Sequence, residues 1–153
     1  MTIRPMTIGD YDAVLALWNA CLTSARDIDD SPEAIAGFLR RNPGLSVVAV
    51  EEEEQETLRL QKRSDGAPPQ VAGSILCGHD GRRGCLYHVA VSPAHRRRGV
   101  GQAMAQACLD ALRAEGIRRC ALVAFTKNQG GNAFWGAMGF AQREDLFYRD
   151  IVL

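Results

Sequence analysis

A run of arginines followed by two glycines is the first place where residue types and spacing suggest chemistry. Arg96, Arg97 and Arg98 precede Gly99 and Gly101, and we expect this turn to lie between a strand and a helix. Because glycine lets a ligand approach the backbone, successive N–H groups can point into one concavity at the helix N-terminus. The arginines would add charge-assisted hydrogen bonds to phosphate oxygens. The pattern favours a pyrophosphate site, although a tight turn with a solvated basic face would give the same residues.

The spacing of these glycines argues against two common nucleotide classes. It is neither the six-residue dinucleotide fingerprint nor the phosphate loop that ends in Gly-Lys-Ser or Gly-Lys-Thr. Lysine plus arginine number 18, as do aspartate plus glutamate. This balance argues against a nucleic-acid binder, which normally carries a basic excess. Five cysteines form no C-x-x-C pair and have no metal-ligand spacing to the histidines, so we expect reduced thiols and no metal site.

The elements that must position the turn follow from periodicity and capping residues. Ser31, Pro32 and Glu33 are typical of a helix start, with a capping hydroxyl followed by proline at the first helical position. The predicted strands and later helices are Ser46–Val50 and Val71–Cys77 as a hairpin, Cys85–Val91, a helix from Gly99 or Gly101 to Gly116, Ile117–Phe125, a short helix over Asn132–Met138, and two final strands at Phe140–Glu144 and Leu146–Val152. A strand–helix–strand unit after an antiparallel hairpin predicts a mixed sheet in a three-layer α/β fold.

The stretch between the two hairpin strands is unusual. Residues 51–70 begin acidic, become basic and end in a Gly- and Pro-containing run. A structureless loop of this length is uncommon in a compact domain. The composition fits a mobile hairpin tip and equally a flap that contacts a substrate or partner.

Two ordered segments resemble the GNAT (GCN5-related) N-acetyltransferase superfamily. Leu86–Gly101 has that family's strand ending in valine, followed by Arg-x-x-Gly-x-Gly, and Asn128–Phe140 resembles its second conserved block. The resemblance covers essentially the whole chain and is strongest in the second half. It implies a single domain over residues 1–153, with a mixed sheet of about seven strands, about four helices and two splayed parallel strands at the cofactor site.

The resemblance also implies acetyl-CoA as the cofactor. Its pantetheine arm would pair with the backbone of Val89, Ala90 and Val91 as an added strand does, next to a bulge in this strand. The residues that would hold the pyrophosphate are Arg96, Arg97, Arg98, Gly99, Val100, Gly101, Gln102 and Ala103. Asn128, Phe134 and Trp135 would line the cofactor from the second block.

The residues for proton transfer are less clear from the resemblance. Family members often use a tyrosine as the acid where this chain has Trp135, whose indole only donates a hydrogen bond. Either Trp135 packs and water protonates the thiolate, or another group such as Tyr148 replaces the tyrosine. Strand alternation predicts Tyr87 and His88 on opposite faces, and His88 is the better candidate base. A histidine packed beneath a helix would fit equally well.

The acceptor is the least readable part of the chain. Asp29, Asp30 and Ser31 lie where the family forms its acceptor wall, and they would either attract a cationic amine or cap a helix. We expect an N-acetyltransferase that acts on a small-molecule primary amine. A protein or peptide acetyltransferase and a non-catalytic acyl-CoA-binding module remain open. No apolar leader or membrane-length run is evident, so we expect a cytoplasmic protein with no membrane or nucleic-acid partner; a homodimer also remains open.

Overall fold

A computed structural model describes residues 1–22, 28–51 and 70–153, and internal contacts divide the chain into the units Met1–Leu122 and Val123–Leu153. The first unit contains a sheet whose strands lie in chain order: β1 (Thr2–Pro5), β2 (Val47–Val50), β3 (Val71–His79), β4 (Gly84–Val91) and β5 (Cys120–Leu122). The pairs from β1 to β4 are antiparallel, whereas β4 and β5 are parallel. The mixed α/β sheet and its parallel crossover are thus confirmed.

The helix predicted from Ser31 and the helix after the arginine–glycine turn lie close to their expected positions, and the short helix expected over Asn132–Met138 begins earlier, at Gln129. The helices are α1 (Tyr11–Cys21), α2 (Pro32–Arg41) and α3 (Val100–Ala114) in the first unit, α4 (Gln129–Ala137) in the second, and 3-10 turns at Ile8–Asp10, Ile28–Asp30 and Pro93–His95. Ser31 Oγ accepts a hydrogen bond from the Ala34 amide at 3.1 Å, so the predicted cap of α2 is confirmed. The bidentate pair of Arg4 with Asp10, at 2.8 and 2.6 Å, joins β1 to the beginning of α1.

Helices cover the sheet on both faces. On one face, Val14 and Trp18 of α1 and Ile35 of α2 join one buried apolar cluster with Val48 and Leu76 of the sheet. On the other face α3 lies very close to the strands. A Cβ atom at Gly73 would lie 2.6 Å from Met104 Cε, and one at Gly84 would lie 2.6 Å from Leu112 Cδ1. Glycine at these two positions therefore sets the short distance between α3 and the sheet.

The strand count differs from the expected seven. The described residues form five strands, and β5 is shorter than the predicted Ile117–Phe125. No strand forms in the unit Val123–Leu153, so the strands predicted at Phe140–Glu144 and Leu146–Val152 are wrong for this structure. Apolar and aromatic content predicts a strand only where a neighbouring strand takes the backbone hydrogen bonds. Most of the stretch expected between the hairpin strands, residues 52–69, lies outside the described residues.

Candidate active site

A bulge in β4 shapes the centre of the site. Tyr87 pairs with Leu76 and Ala90 with Ser74, so His88 and Val89 together face the single residue Ile75 of β3. His88 has a positive φ of 47°, which a non-glycine residue rarely adopts. The bulge that the family resemblance implied is confirmed.

This bulge overturns the predicted opposite orientation of Tyr87 and His88. The Tyr87 ring meets Phe38 of α2 with centroids 5.9 Å apart, and the His88 ring meets Trp18 of α1 at 4.6 Å. Trp18 belongs to the buried apolar cluster between the sheet and the helices α1 and α2, and Phe38 packs against that cluster. The Tyr87 and His88 rings therefore both lie on the face of the sheet that these helices cover. The alternation fails because the bulge inserts one extra residue into the strand, so consecutive side chains no longer point in opposite directions.

His88 forms a short contact with a carboxylate that lies far away in the sequence. Its Nε2 atom lies 2.5 Å from Asp30 Oδ1, and the Asp30 side chain is 12% exposed. Tyr11 Oη donates to the backbone carbonyl of Asp30 at 2.7 Å, which fixes the 3-10 turn that carries the carboxylate. The Trp18 indole, which contacts the His88 ring, donates to Ser74 Oγ at 2.9 Å. The histidine and its carboxylate are therefore both held by buried groups.

A pocket of about 450 Å³ opens beside Asp30, between α1 and the start of α2. Its lining residues are Tyr11, Asp12, Leu15, Ile28, Asp30, Ser31 and Pro32. Asp30 and Ser31 thus lie where the sequence suggested an acceptor wall, whereas Asp29 is exposed and outside this lining. The sequence did not single out Tyr11 or Leu15 for the site, because their apolar spacing on α1 reads as ordinary core.

The parallel pairing of β4 with β5 is short. Pairing between β4 and β5 runs from Gly84 with Cys120 to Leu86 with Leu122, whereas β4 itself continues to Val91. The β4 segment that contains Val89, Ala90 and Val91 therefore extends beyond the register with β5. The splay that the family resemblance implied between Val89–Val91 and Ala121–Ala124 stays a prediction, because Val123 and Ala124 belong to the second unit.

The arginine–glycine turn forms the N-terminus of α3. Gly99 is the N-cap, with φ of 78°, and no atom of the described residues lies within 4 Å of where its Cβ would be. Ala103 donates to the Gly99 carbonyl at 2.9 Å. The preceding amides in the first turn have no intrahelical acceptor, as at every helix N-terminus, and can bind an anion. Arg96 Nε donates to the Val91 carbonyl at 3.0 Å, which ties the turn to the end of β4.

A second histidine adjoins the turn. His95 is 5% exposed, and its Nε2 lies 2.7 Å from Glu51 Oε1 at the end of β2. This hydrogen bond is the main cause that lowers the pKa of Glu51 below its usual value, and the charges of His95 and Arg98 act in the same direction. His95 Nδ1 is buried and has no hydrogen-bond partner among the described residues. Nothing in the sequence connects Glu51 with His95.

The second unit, Val123–Leu153, contains the remaining candidates. The side chain of Asn128 caps α4 by accepting from the Gly131 amide at 3.0 Å. Trp135 is buried, and its ring contacts Phe134 and Phe140 with centroids 4.8 and 5.2 Å away. Tyr148 is 73% exposed and lies on no strand, so its expected place on a last strand is wrong.

Comparison with known proteins agrees with this architecture. A sequence model described as the Acetyltransferase (GNAT) family matches residues 11–140. An acetyltransferase of Sodalis glossinidius (strain morsitans) is 31% identical over 104 residues, which are 68% of this chain and 61% of that protein. Ard1 from Thermoplasma volcanium shares the fold with a TM-score of 0.72 at 22% identity, over 92% of this chain and 82% of that chain. The NatC complex bound to Gag peptide and CoA matches with a TM-score of 0.73 at 20% identity, over 94% of this chain and 86% of that chain.

The matched family covers most of the sequence, and the chain belongs to the GNAT acetyltransferase family. The chain spans about three fifths of the length of the Sodalis relative, 61%. The NatC structure is described as bound to CoA, and at 20% identity it shows a shared fold with this chain. Among the helices of the described ranges, none is long and apolar enough to cross a membrane. The same ranges contain no cluster of His, Cys, Asp or Glu suited to a metal ion.

Proposed function

We propose that this chain transfers the acetyl group of acetyl-CoA to the primary amine of a small molecule by direct attack. The observation that supports this most strongly is the contact of His88 with Asp30 at the β4 bulge. The contact supports His88 as the base, because His88 lies on the strand that the family uses for the cofactor and Asp30 lines a pocket that can admit an acceptor. The thioester of acetyl-CoA supplies the electrophilic carbonyl when bound.

Two parts of the first unit fit the cofactor. The backbone of Val89, Ala90 and Val91 lies beyond the register with β5 and can pair with the amides of a pantetheine arm. The residues Arg96, Arg97, Arg98, Gly99, Val100, Gly101, Gln102 and Ala103 form a basic turn and a helix start suited to a pyrophosphate. Contacts of Asn128, Phe134 and Trp135 with the cofactor are proposed from the family resemblance alone.

The pocket beside α1 fits a small cationic acceptor. Asp12 and Asp30 supply negative charge, and Leu15, Ile28 and Pro32 supply apolar surface. A primary amine resembling that of lysine has a pKa of about 10.4 and must lose a proton before it attacks. Asp30 lines the pocket and contacts His88, which is outside the lining, so the proton of the amine would reach the histidine through water. Ser31 lines this region and caps α2, whereas Asp29, outside the lining, would act only through its charge.

The first test is calorimetric titration of the purified protein with acetyl-CoA, with NAD and ATP as controls. We expect binding of acetyl-CoA alone, because the glycine spacing suits neither of the other two nucleotides. Acceptors would then be screened by release of the CoA thiol with phenethylamine, tryptamine, lysine ethyl ester and an alanine-initiated peptide. Turnover of the peptide alone would contradict the small-molecule assignment, and acetyl-CoA binding without turnover of any acceptor would favour a non-catalytic module.

A further inference from the structure

We propose that Asp30 is a positioning residue that fixes the ring of His88, so that Nδ1 is the atom that accepts the proton of the acceptor amine. This inference rests on the proposed function, because it assigns the base of that reaction to one atom. It gives the Asp30 carboxylate a role toward His88 in addition to its place in the pocket lining. The geometry that carries it is the contact of Asp30 Oδ1 with His88 Nε2 at 2.5 Å.

The donor and acceptor inventory decides which nitrogen is the base. A carboxylate only accepts hydrogen bonds, so the His88 nitrogen that faces Asp30 must carry a hydrogen. A neutral imidazole has one N–H, and its other nitrogen then has the lone pair. Nε2 is the nitrogen engaged by Asp30, and Nδ1 has no hydrogen-bond partner among the residues of the described ranges. Nδ1 is therefore the nitrogen able to take a proton.

Both members of the pair are held by groups outside it. Tyr11 Oη fixes the carbonyl of Asp30, and the cap of α2 begins at the next residue. His88 is held by the bulge and by the edge of the Trp18 ring. A side chain that only packed in the core would need neither a positive φ nor a carboxylate partner. A base that must face one direction benefits from both, since productive proton transfer depends on geometry.

The proton balance of the step is simple. The acceptor ammonium gives one proton, carried by water, to His88 Nδ1, and the imidazolium is stabilised by Asp30 across the Nε2–H contact. The neutral amine forms the N–C bond as the C–S bond breaks and the electron pair leaves with sulfur. The second proton of the amine nitrogen reaches the departing thiolate through solvent, and His88 releases its own proton to water.

The test compares Asp30→Asn and Asp30→Glu with Glu33→Gln. Glu33 is an exposed acid in the first turn of α2, so its substitution removes the same charge nearby without touching His88. In ¹⁵N-labelled wild-type protein we expect a strongly downfield Nε2–H resonance for His88. It should be lost in Asp30→Asn, recovered in part in Asp30→Glu and unchanged in Glu33→Gln. With phenethylamine, kcat of Asp30→Asn should fall roughly 100-fold while KM for acetyl-CoA stays constant.

The outcomes separate this inference from the proposed function. A wild-type kcat in a folded Asp30→Asn variant overturns the positioning role, as does survival of the same His88 resonance in that variant. If KM for the amine rises in Asp30→Asn while kcat stays unchanged, Asp30 acts in acceptor binding alone. This result would also overturn the positioning role. If the wild-type protein acetylates no amine, the proposed function fails, whereas loss of the resonance in Asp30→Asn still supports the pairing.

Discussion

At the scale of single residues, His88 combines a strained backbone with a candidate catalytic ring. Its φ of 47° lies in the left-handed region, where asparagine is better tolerated than most residues. Such strain costs about 1–3 kcal/mol and persists where the surrounding structure over-determines it, often at functional sites. The bulge is therefore better explained by the position it gives the imidazole than by the stability of the sheet.

The variant His88→Asn separates these two properties. Asparagine keeps the backbone tolerance but lacks the proton-accepting ring nitrogen and the ring contacts with Asp30 and Trp18, so we expect a folded protein whose free energy of unfolding falls by about 1–3 kcal/mol. Turnover should fall roughly 100-fold. Urea unfolding and steady-state kinetics measure the two effects. Wild-type turnover in the folded variant would remove His88 from the mechanism.

Trp135 offers a second test at this scale. Its ring is buried against Phe134 and Phe140, which are apolar contacts that a phenylalanine can largely reproduce. Because an indole N–H does not act as an acid, we expect Trp135→Phe to keep most of the kcat, measured by CoA thiol release. A loss of several orders of magnitude would show that the indole has a chemical role.

The sequence could predict the parts of the site that are contiguous in the chain. The arginine–glycine turn and the strand that contains His88 are read from neighbouring residues, whereas the bulge was implied by the family resemblance. The partners of the two histidines could not be predicted, because Asp30 is 58 positions from His88 and Glu51 is 44 positions from His95. Only the folding of α1, α2 and the sheet brings these side chains together.

At the scale of elements, the beginning of α3 is the feature most open to test. A Cβ atom at Gly99 would meet no atom of the described residues, but a valine there must adopt a φ of 78°, so the first turn of the helix should rearrange. We expect Gly99→Val to weaken acetyl-CoA binding at least tenfold, equivalent to about 1.4 kcal/mol. Calorimetric titration of the folded variant measures the change.

The matched control for that variant lies at the other end of the same helix. Gly116 has a φ of 80° and equally open surroundings, so Gly116→Val imposes similar backbone strain away from the turn. It should bind acetyl-CoA as the wild type does. Equal loss of affinity in both variants would mean that general destabilisation, and not the phosphate cradle, causes the effect.

Helix starts were predictable for a local reason that the strands lack. Ser31 and Pro32 cap α2 through bonds within one turn, so a few adjacent residues contain the signal. A strand depends on a partner that is distant in sequence. The short length of β5 therefore could not be predicted from its sequence. The absence of strands in residues 123–153, all of which the structure describes, could not be predicted from the aromatic and β-branched residues of that segment either.

At the scale of the whole molecule, Asp10 predicts how stability responds to acid. The hydrogen bonds from Arg4 are the largest cause that lowers the pKa of Asp10 below its ordinary 3.8, and the Thr7 amide adds to it. A depressed folded-state pKa contributes stability above about pH 4, and this contribution is lost as the pH falls through the folded value. Asp10→Asn should cost about 2 kcal/mol at pH 7.

The pH dependence gives this prediction its sign. The difference in urea-unfolding free energy between wild type and Asp10→Asn should be largest near neutral pH and shrink below pH 4. Asp145→Asn is the control, because Asp145 pairs with Arg143 in an exposed pair that contributes little to stability. A constant difference across the whole pH range would show that lost packing, and not the ion pair, explains the effect.

The edge contact between Trp18 and His88 should allow the fluorescence of Trp18 to report the protonation of His88. The chain has two tryptophans, so Trp135→Phe leaves Trp18 as the single emitting indole. An imidazolium quenches a neighbouring indole, and the ring centroids are 4.6 Å apart. The emission of Trp18 should therefore drop when His88 takes up a proton and return when it is released. Stopped-flow mixing with acetyl-CoA and an amine would then follow the protonation of His88 during turnover without any attached dye.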